Sequence, residues 1–174
     1  IDVQERLLPA IDQWQRVVWN CGRLLDGARI LGLPVVATEQ YPKGLGPTAP
    51  ELAERLGKIP EKTTFSCREC AAAFQPLLRD GRNKLLVCGI ETHVCVQQTV
   101  YDLLAAGWQV YVAVDAVGSR TELDYLTALQ RMKSAGAVLT TTEAALFEWC
   151  ERAGTPEFKQ ISQLVRPVEP PDAK

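Results

Sequence analysis

The run Leu85-Leu86-Val87-Cys88-Gly89-Ile90-Glu91-Thr92-His93-Val94-Cys95-Val96-Gln97-Gln98-Thr99 constrains the fold more than any other part of the chain. Leu85 to Cys88 are unbroken apolar residues after the charged segment 79–84, the pattern of a strand buried on both faces. Gly89 ends the run. From about Val94 the apolar spacing becomes helical, with Val96, Val100, Leu103 and Leu104 on one side. Cys95 therefore falls where a strand has ended and a helix begins. Unpaired N–H groups and the positive end of the helix dipole gather at such a place. They push a thiol toward thiolate, which makes Cys95 the expected most reactive thiol. Without that context the same residue reads as one more small buried hydrophobe.

The rest of the chain repeats the alternation. Ile1-Asp2 reads as the end of a first strand, so residues are expected to precede it. A helix follows from Ile11 or Trp14 to Leu31, with Val17, Val18, Cys21, Leu24, Leu25, Ala28 and Leu31 as its apolar stripe. Gly32 closes it, and residues 33–38 read as a strand. Residues 39–50 form a Pro- and Gly-rich loop, a plausible pocket wall. A short helix is expected over 49–56 and a brief edge strand within 58–62, where Pro60 is tolerated. Ser66 is the expected cap of a helix reaching Leu78, with Glu69 completing a capping box and Pro76 kinking it. After the Cys95 helix come a strand over 109–114 with Asp115 at its edge, a helix to about Ser134, a strand over 137–140, a helix from Thr142 to about Glu151, and a helical piece over 156–164 in a Pro-rich tail. Strands alternating with helices predict a parallel sheet covered on both faces, in one domain spanning residues 1–174. Ligands of such sheets lie beyond the carboxyl ends of the strands. Asp2, residues 89–95, Asp115 and residues 39–45 are all expected on that rim.

Composition narrows the function. A net charge of −2 and a pI near 5.5 exclude a broad phosphate-binding surface, so nucleic acid is not an expected partner. No apolar run approaches the length of a membrane span. The six cysteines are scattered rather than framed as disulfides, which points to reduced thiols and the cytoplasm, with an N-terminal targeting segment left open. Cys67-Arg68-Glu69-Cys70 has C-x-x-C spacing but no second pair, and the one histidine is His93, so neither a metal nor a cofactor is expected. The chemically useful rim groups are the Asp2 carboxylate, the Lys62 amine and the Cys95 thiol. A thiol nucleophile needs a base and a cation nearby, and Asp2 is a better base candidate than His93. Gln4, Tyr41 and Phe65 are weaker candidates for contact with substrate. Asp115 is read as a structural cap. Removing Lys62 is expected to cost little stability.

These residues give the chain a resemblance to the isochorismatase-like, or cysteine, hydrolases. The family's Asp–Lys–Cys triad matches Asp2 in Asp2-Val3-Gln4, Lys62 in Glu61-Lys62-Thr63-Thr64-Phe65-Ser66, and Cys95 in Gly89-Ile90-Glu91-Thr92-His93-Val94-Cys95-Val96. The string Thr38-Glu39-Gln40-Tyr41-Pro42-Lys43-Gly44-Leu45-Gly46-Pro47-Thr48 resembles the isochorismatase domain-containing subgroup. The resemblance implies a three-layer α/β/α fold with a six-stranded parallel sheet in the Rossmann-like order 3-2-1-4-5-6. It implies a cis peptide between Ile90 and Glu91, which would aim the backbone N–H groups of Glu91 and Cys95 at one point as an oxyanion hole. Nicotinamidases of this superfamily carry a metal site with two histidines on the loop after the second strand, and that loop holds none here. Isochorismatases proper protonate a vinyl ether and need no nucleophilic cysteine, so Cys95 favours the thiol branch. The implied function is hydrolysis of a small amide, carbamoyl or related acyl substrate by a homo-oligomer. Two alternatives stand beside it: a catalytically quiet oligomeric interaction protein, and a thiol redox protein working through Cys95.

Overall fold

The computed structural model describes residues 1–167 and 170; Pro171, the end of the Pro-rich tail and of the 1–174 range, lies outside the described residues. After a 3₁₀ turn over Leu8–Ala10, helix α1 spans Trp14–Ile30. Strand β1 is Glu39–Gln40, followed by two single-turn helices, α2 (Pro42–Leu45) and α3 (Pro50–Ala53). Strand β2 is Glu61–Lys62. A 3₁₀ segment over Cys67–Ala73 runs into α4 (Gln75–Arg79), then β3 (Lys84–Ile90), a π-helical turn over Thr92–Val96, and α5 (Gln97–Ala105). Strand β4 is Gln109–Gly118, and α6 (Glu122–Ser134), β5 (Val138–Thr140), α7 (Thr142–Cys150) and α8 (Pro156–Val165) complete the order.

All strand pairs are parallel, and β3 and β4 are buried from both sides. On one face Val17, Val18, Cys21 and Leu24 of α1 pack with Leu146 of α7, Ile161 of α8 and Ala113 and Ala116 of β4. On the other, Val96, Val100 and Leu103 pack with Val87, Val110 and Val112 and with Ala128, Leu129 and Met132 of α6. Alternate residues of one strand thus feed two cores, which is why the run at 85–88 reads as continuously apolar.

The expected six-stranded ladder is not what forms. Two sheets are present, β1-β2 and β3-β4-β5. Single hydrogen bonds run between them through the first two residues. The Ile1 amine donates to Cys88 O (2.8 Å), Ile90 N–H donates to Ile1 O (2.9 Å), and Asp2 N–H donates to Thr38 O (3.1 Å). Asp2 then turns at φ +52°, which ends extended pairing after two bonds on the β3 side and one on the other. With so short a neighbour, residues 33–38 gain no ladder, and Val35 and Val36 stay exposed. Gly89 lies directly under this junction: a Cβ there would sit 2.0 Å from Ile1 O, so the close approach requires glycine.

Three local expectations change. Ser66 caps its segment by accepting from Arg68 N–H, but Glu69 accepts from Thr63 and Thr64 N–H instead of closing a capping box. The chain kinks at Cys70 and breaks again at Phe74, and Pro76 sits in the first turn of α4, where a missing N–H is harmless. Strand β4 continues four residues past Val114, so Asp115 lies within it rather than at its carboxyl end. The Asp115 carboxylate accepts from Thr142 N–H (2.8 Å) and Thr142 Oγ1 (3.0 Å), holding the start of α7, which Thr141 caps. Asp115→Ala is expected to lower stability by about 1–3 kcal/mol, the cost of leaving these donors unpaired. Thermal denaturation measures this, and the labelling rate of Cys95 should stay at its wild-type value.

Candidate active site

Asp2, Lys62 and Cys95 are brought together from three separate segments. The Asp2 and Lys62 side chains are wholly buried, with Lys62 Nζ 2.6 Å from Asp2 Oδ2. The other carboxylate oxygen of Asp2 accepts from Thr38 Oγ1 at 2.8 Å. Lys62 Nζ also donates to Gln40 Oε1 (2.8 Å), Phe65 O (2.8 Å) and Thr64 O (3.2 Å). The parallel register of β1 and β2 sets Gln40 directly beside Lys62, which explains how the amide reaches the ammonium.

Cys95 sits in the π-helical turn after β3 and is 4% exposed. Burial pushes its thiol up. The Asp2 carboxylate pushes it further, as a neighbouring charge and as a hydrogen-bond partner, while Lys62 pulls it down; the net position is about 12. The expectation of a thiolate favoured by the helix terminus is thereby corrected: desolvation and a facing carboxylate outweigh one turn of dipole. The lowest thiol is Cys88, brought to about 7 chiefly by a hydrogen bond with Cys21, whose own thiol is raised. Cys95 thus rests as a protonated thiol against a carboxylate.

The peptide bond Ile90–Glu91 is cis. The Glu91 carboxylate is buried and held in a two-point fork, Arg120 Nε and Nη2 each donating at 2.9 Å. His93 Nδ1 lies 3.0 Å from Ser119 Oγ, so His93 packs against the end of β4. These two contacts fasten the turn that carries Cys95.

The weaker candidates separate. Gln4 is fully buried and uses its amide on backbone: Oε1 accepts from Gln40 N–H, and Nε2 donates to Gln40 O and Gly46 O. It is a support for Gln40 rather than a pocket wall. Tyr41 is 55% exposed in a left-handed conformation, its ring lying over Gly44, where no Cβ would fit. Phe65 is 53% exposed and borders a cleft of about 560 Å³ with Thr64, Ser66, Glu69, Gln98 and Asp102. That cleft is not lined by Cys95; it reaches the cluster through Thr64 and Phe65, whose carbonyls Lys62 holds. Residue-level reading placed Gln40 only in a plausible pocket-wall loop and missed Thr38 as a site residue. A polar pair closing an apolar strand was the available signal.

No group of three or more His, Cys, Asp or Glu among the described residues is arranged to hold a metal ion. Among the described residues no helix is long and apolar enough to cross a membrane.

Lys62 is a buried cation with four acceptors, so its loss is not cheap. Lys62→Met leaves Asp2 charged and buried, which costs about 3–5 kcal/mol, read by denaturant unfolding. Asp2→Asn removes the charge that raises the Cys95 thiol, so its iodoacetamide labelling profile should move to lower pH. Peptide-resolved mass spectrometry across pH 7–10 scores Cys95 separately from Cys88.

Comparison with known proteins places this geometry. The Isochorismatase domain profile matches residues 1–144. Isochorismatase domain-containing protein 2 of Danio rerio is 41% identical over 169 residues, which is 97% of this chain and 86% of that protein. The structure described as MAR1 ribonuclease from Caenorhabditis elegans superposes with a TM-score of 0.90 at 41% identity, covering 98% of this chain and 88% of that one. YcaC from Pseudomonas aeruginosa, solved with hexane-2,5-diol and covalent acrylamide, superposes with a TM-score of 0.83 at 26% identity, covering 94% and 85%. The shared fold and domain support a hydrolase-like function. On its domain match and on these relatives, the chain belongs to the isochorismatase domain family.

Proposed function

We propose that the protein is a cysteine hydrolase of small amide, carbamoyl or related acyl compounds, acting through Asp2, Lys62 and Cys95. The observation that carries this reading is the buried Asp2 carboxylate, held on one side by Lys62 and facing the Cys95 thiol on the other. A resting thiol near 12 is a poor nucleophile by itself but is matched to a base beside it. As the sulfur attacks the substrate carbonyl, its proton passes to Asp2, and the oxygen takes the negative charge. The N–H groups of Glu91 and Cys95 hold that oxygen. Collapse breaks the C–N bond while Asp2 returns the proton to the leaving nitrogen. Water then attacks the thioester, giving its proton to Asp2. The C–S bond breaks, the acid leaves, and the proton returns to sulfur. Proton transfer by a positioned base is worth about 10²–10⁴-fold in rate.

The exposed Phe65 and Tyr41 are the candidate contacts for the substrate's far end. No metal takes part in this scheme, and activity should survive chelation. The two sheets are read as halves of one, joined at Ile1-Asp2 in the order the resemblance implies. The working form is a homo-oligomer, for which Leu123 and Leu126 on α6 offer apolar surface, 76% and 53% exposed; sedimentation at micromolar concentration giving only monomer would remove that part. The proposed compartment is the cytoplasm.

The experiment is a panel of small amides and carbamoyl compounds incubated with the protein, followed by intact-mass and peptide analysis. An acyl adduct on Cys95, absent in both Cys95→Ala and Asp2→Asn, is expected. Acrylamide, found covalently attached in the YcaC structure, should add to the same residue. The second reading is phosphodiester hydrolysis, favoured by the ribonuclease description of the C. elegans relative. A net charge of −2 weighs against it. RNA cleavage that disappears in Cys95→Ala, with no acyl adduct from any amide, would establish the second reading in place of the first.

A further inference from the structure

The four acceptors around Lys62 exceed what its ammonium can serve. An ammonium carries three N–H donors. Asp2 Oδ2, Gln40 Oε1 and Phe65 O, at 2.6, 2.8 and 2.8 Å, account for them, with Thr64 O sharing at 3.2 Å. Gln40 is oriented by its surroundings. Its Nε2 donates to Thr63 O at 2.8 Å, so its oxygen must be the end that faces Lys62. Its backbone is clasped at both ends by the amide of Gln4, at 2.7 Å on N–H and 3.0 Å on C=O. Gln40 therefore reaches Lys62 with a neutral dipole that cannot turn away and does not titrate.

We propose that Gln40 is a positioning residue that takes the last free N–H of Lys62, so that the ammonium stays on Asp2 and acts on the Asp2–Cys95 pair through its charge alone, with no donor left for a substrate oxygen. This rests on the cysteine-hydrolase reading of the site and assigns the division of labour within it. Charge support and oxyanion binding fall to different groups: Lys62 supplies the first, and the turn after Ile90 must supply the second. A carboxylate at position 40 would compete with Asp2 for the ammonium and add negative charge beside the thiol. An apolar side chain there would leave that N–H to Thr64 O, at 3.2 Å, and the cation less firmly directed at Asp2.

The test is the pH dependence of Cys95 alkylation by iodoacetamide, resolved by peptide, for wild type, Gln40→Glu, Gln40→Met and Asp2→Asn, with thermal melting of each. The titratable groups facing the cluster are Asp2, Cys95, Cys67 and Cys70, with the Ile1 amine next along the chain, and none of them is altered in the Gln40 variants. Gln40→Glu is expected to move the Cys95 profile about one unit to higher pH, which is about tenfold slower labelling at pH 8. Gln40→Met should move it the same way by less. Asp2→Asn should move it down. A Gln40 that merely braces its loop would lower the melting temperature of both variants and leave their profiles superimposed on wild type; that result overturns the proposal. If Gln40→Glu does not fold, the profile of Gln40→Met decides by the same criterion. A flat response to Asp2→Asn sinks the reading of the site itself, whereas a shifted Asp2→Asn with unmoved Gln40 variants sinks only the role of Gln40.

Discussion

The ion pair between Asp2 and Lys62 is the interaction on which the rest depends. Both side chains are excluded from water, and at 2.6 Å they form one unit. Two desolvated charges are costly to bring together unless every remaining donor and acceptor is met. The surrounding chain meets them: Thr38 on the free carboxylate oxygen, Gln40 and two carbonyls on the ammonium. Asp2 also holds a left-handed backbone at φ +52°, a conformation that aspartate tolerates better than most residues. The polar density of this small region has an electrostatic cause, and the short strands β1 and β2 exist to deliver Gln40 and Lys62 to it.

The same pair sets the state of the proposed nucleophile, Cys95. A carboxylate facing a buried thiol disfavours a second negative charge, and Lys62 offsets only part of that. The site at rest therefore carries one negative and one positive charge and a proton waiting on sulfur. In the proposed mechanism that proton moves only when a carbonyl is in place to accept the electron pair. The scattered thiols nearby follow other rules. Cys88 is lowered chiefly through Cys21, which has no part in the proposed chemistry.

What was legible in the sequence was the local pattern. The apolar run before Gly89, the stripe of α1, and the alternation of strand and helix follow from side-chain periodicity, and the structure has them. The resemblance carried Asp2, Lys62 and Cys95 to one place, and geometry does bring them together. What was not legible was non-local or electrostatic. Gln40 meets Lys62 only because of the register between two two-residue strands, which no window of sequence contains. Gln4 looked like a pocket residue because its partners, Gln40 and Gly46, lie dozens of residues away. The sign of the shift at Cys95 went the wrong way because the helix terminus is visible in sequence and burial is not. Asp115 read correctly as a cap, but its strand runs on, since Val117 and Gly118 pair with Gly89 and Ile90 beyond a bulge.

The bridging position of Asp2 bears on how the molecule comes to be competent. Its neighbour Ile1 is bonded to Cys88, 87 residues on, and its carboxylate to Lys62, 60 residues on. Contacts of such separation carry a large loop-closure cost. A chain that has built its β3-β4-β5 sheet but not yet docked its first residues holds Cys95 without carboxylate or ammonium. Competence for the proposed chemistry is in that sense a readout of completed topology: closing that loop is what brings carboxylate and ammonium to the thiol.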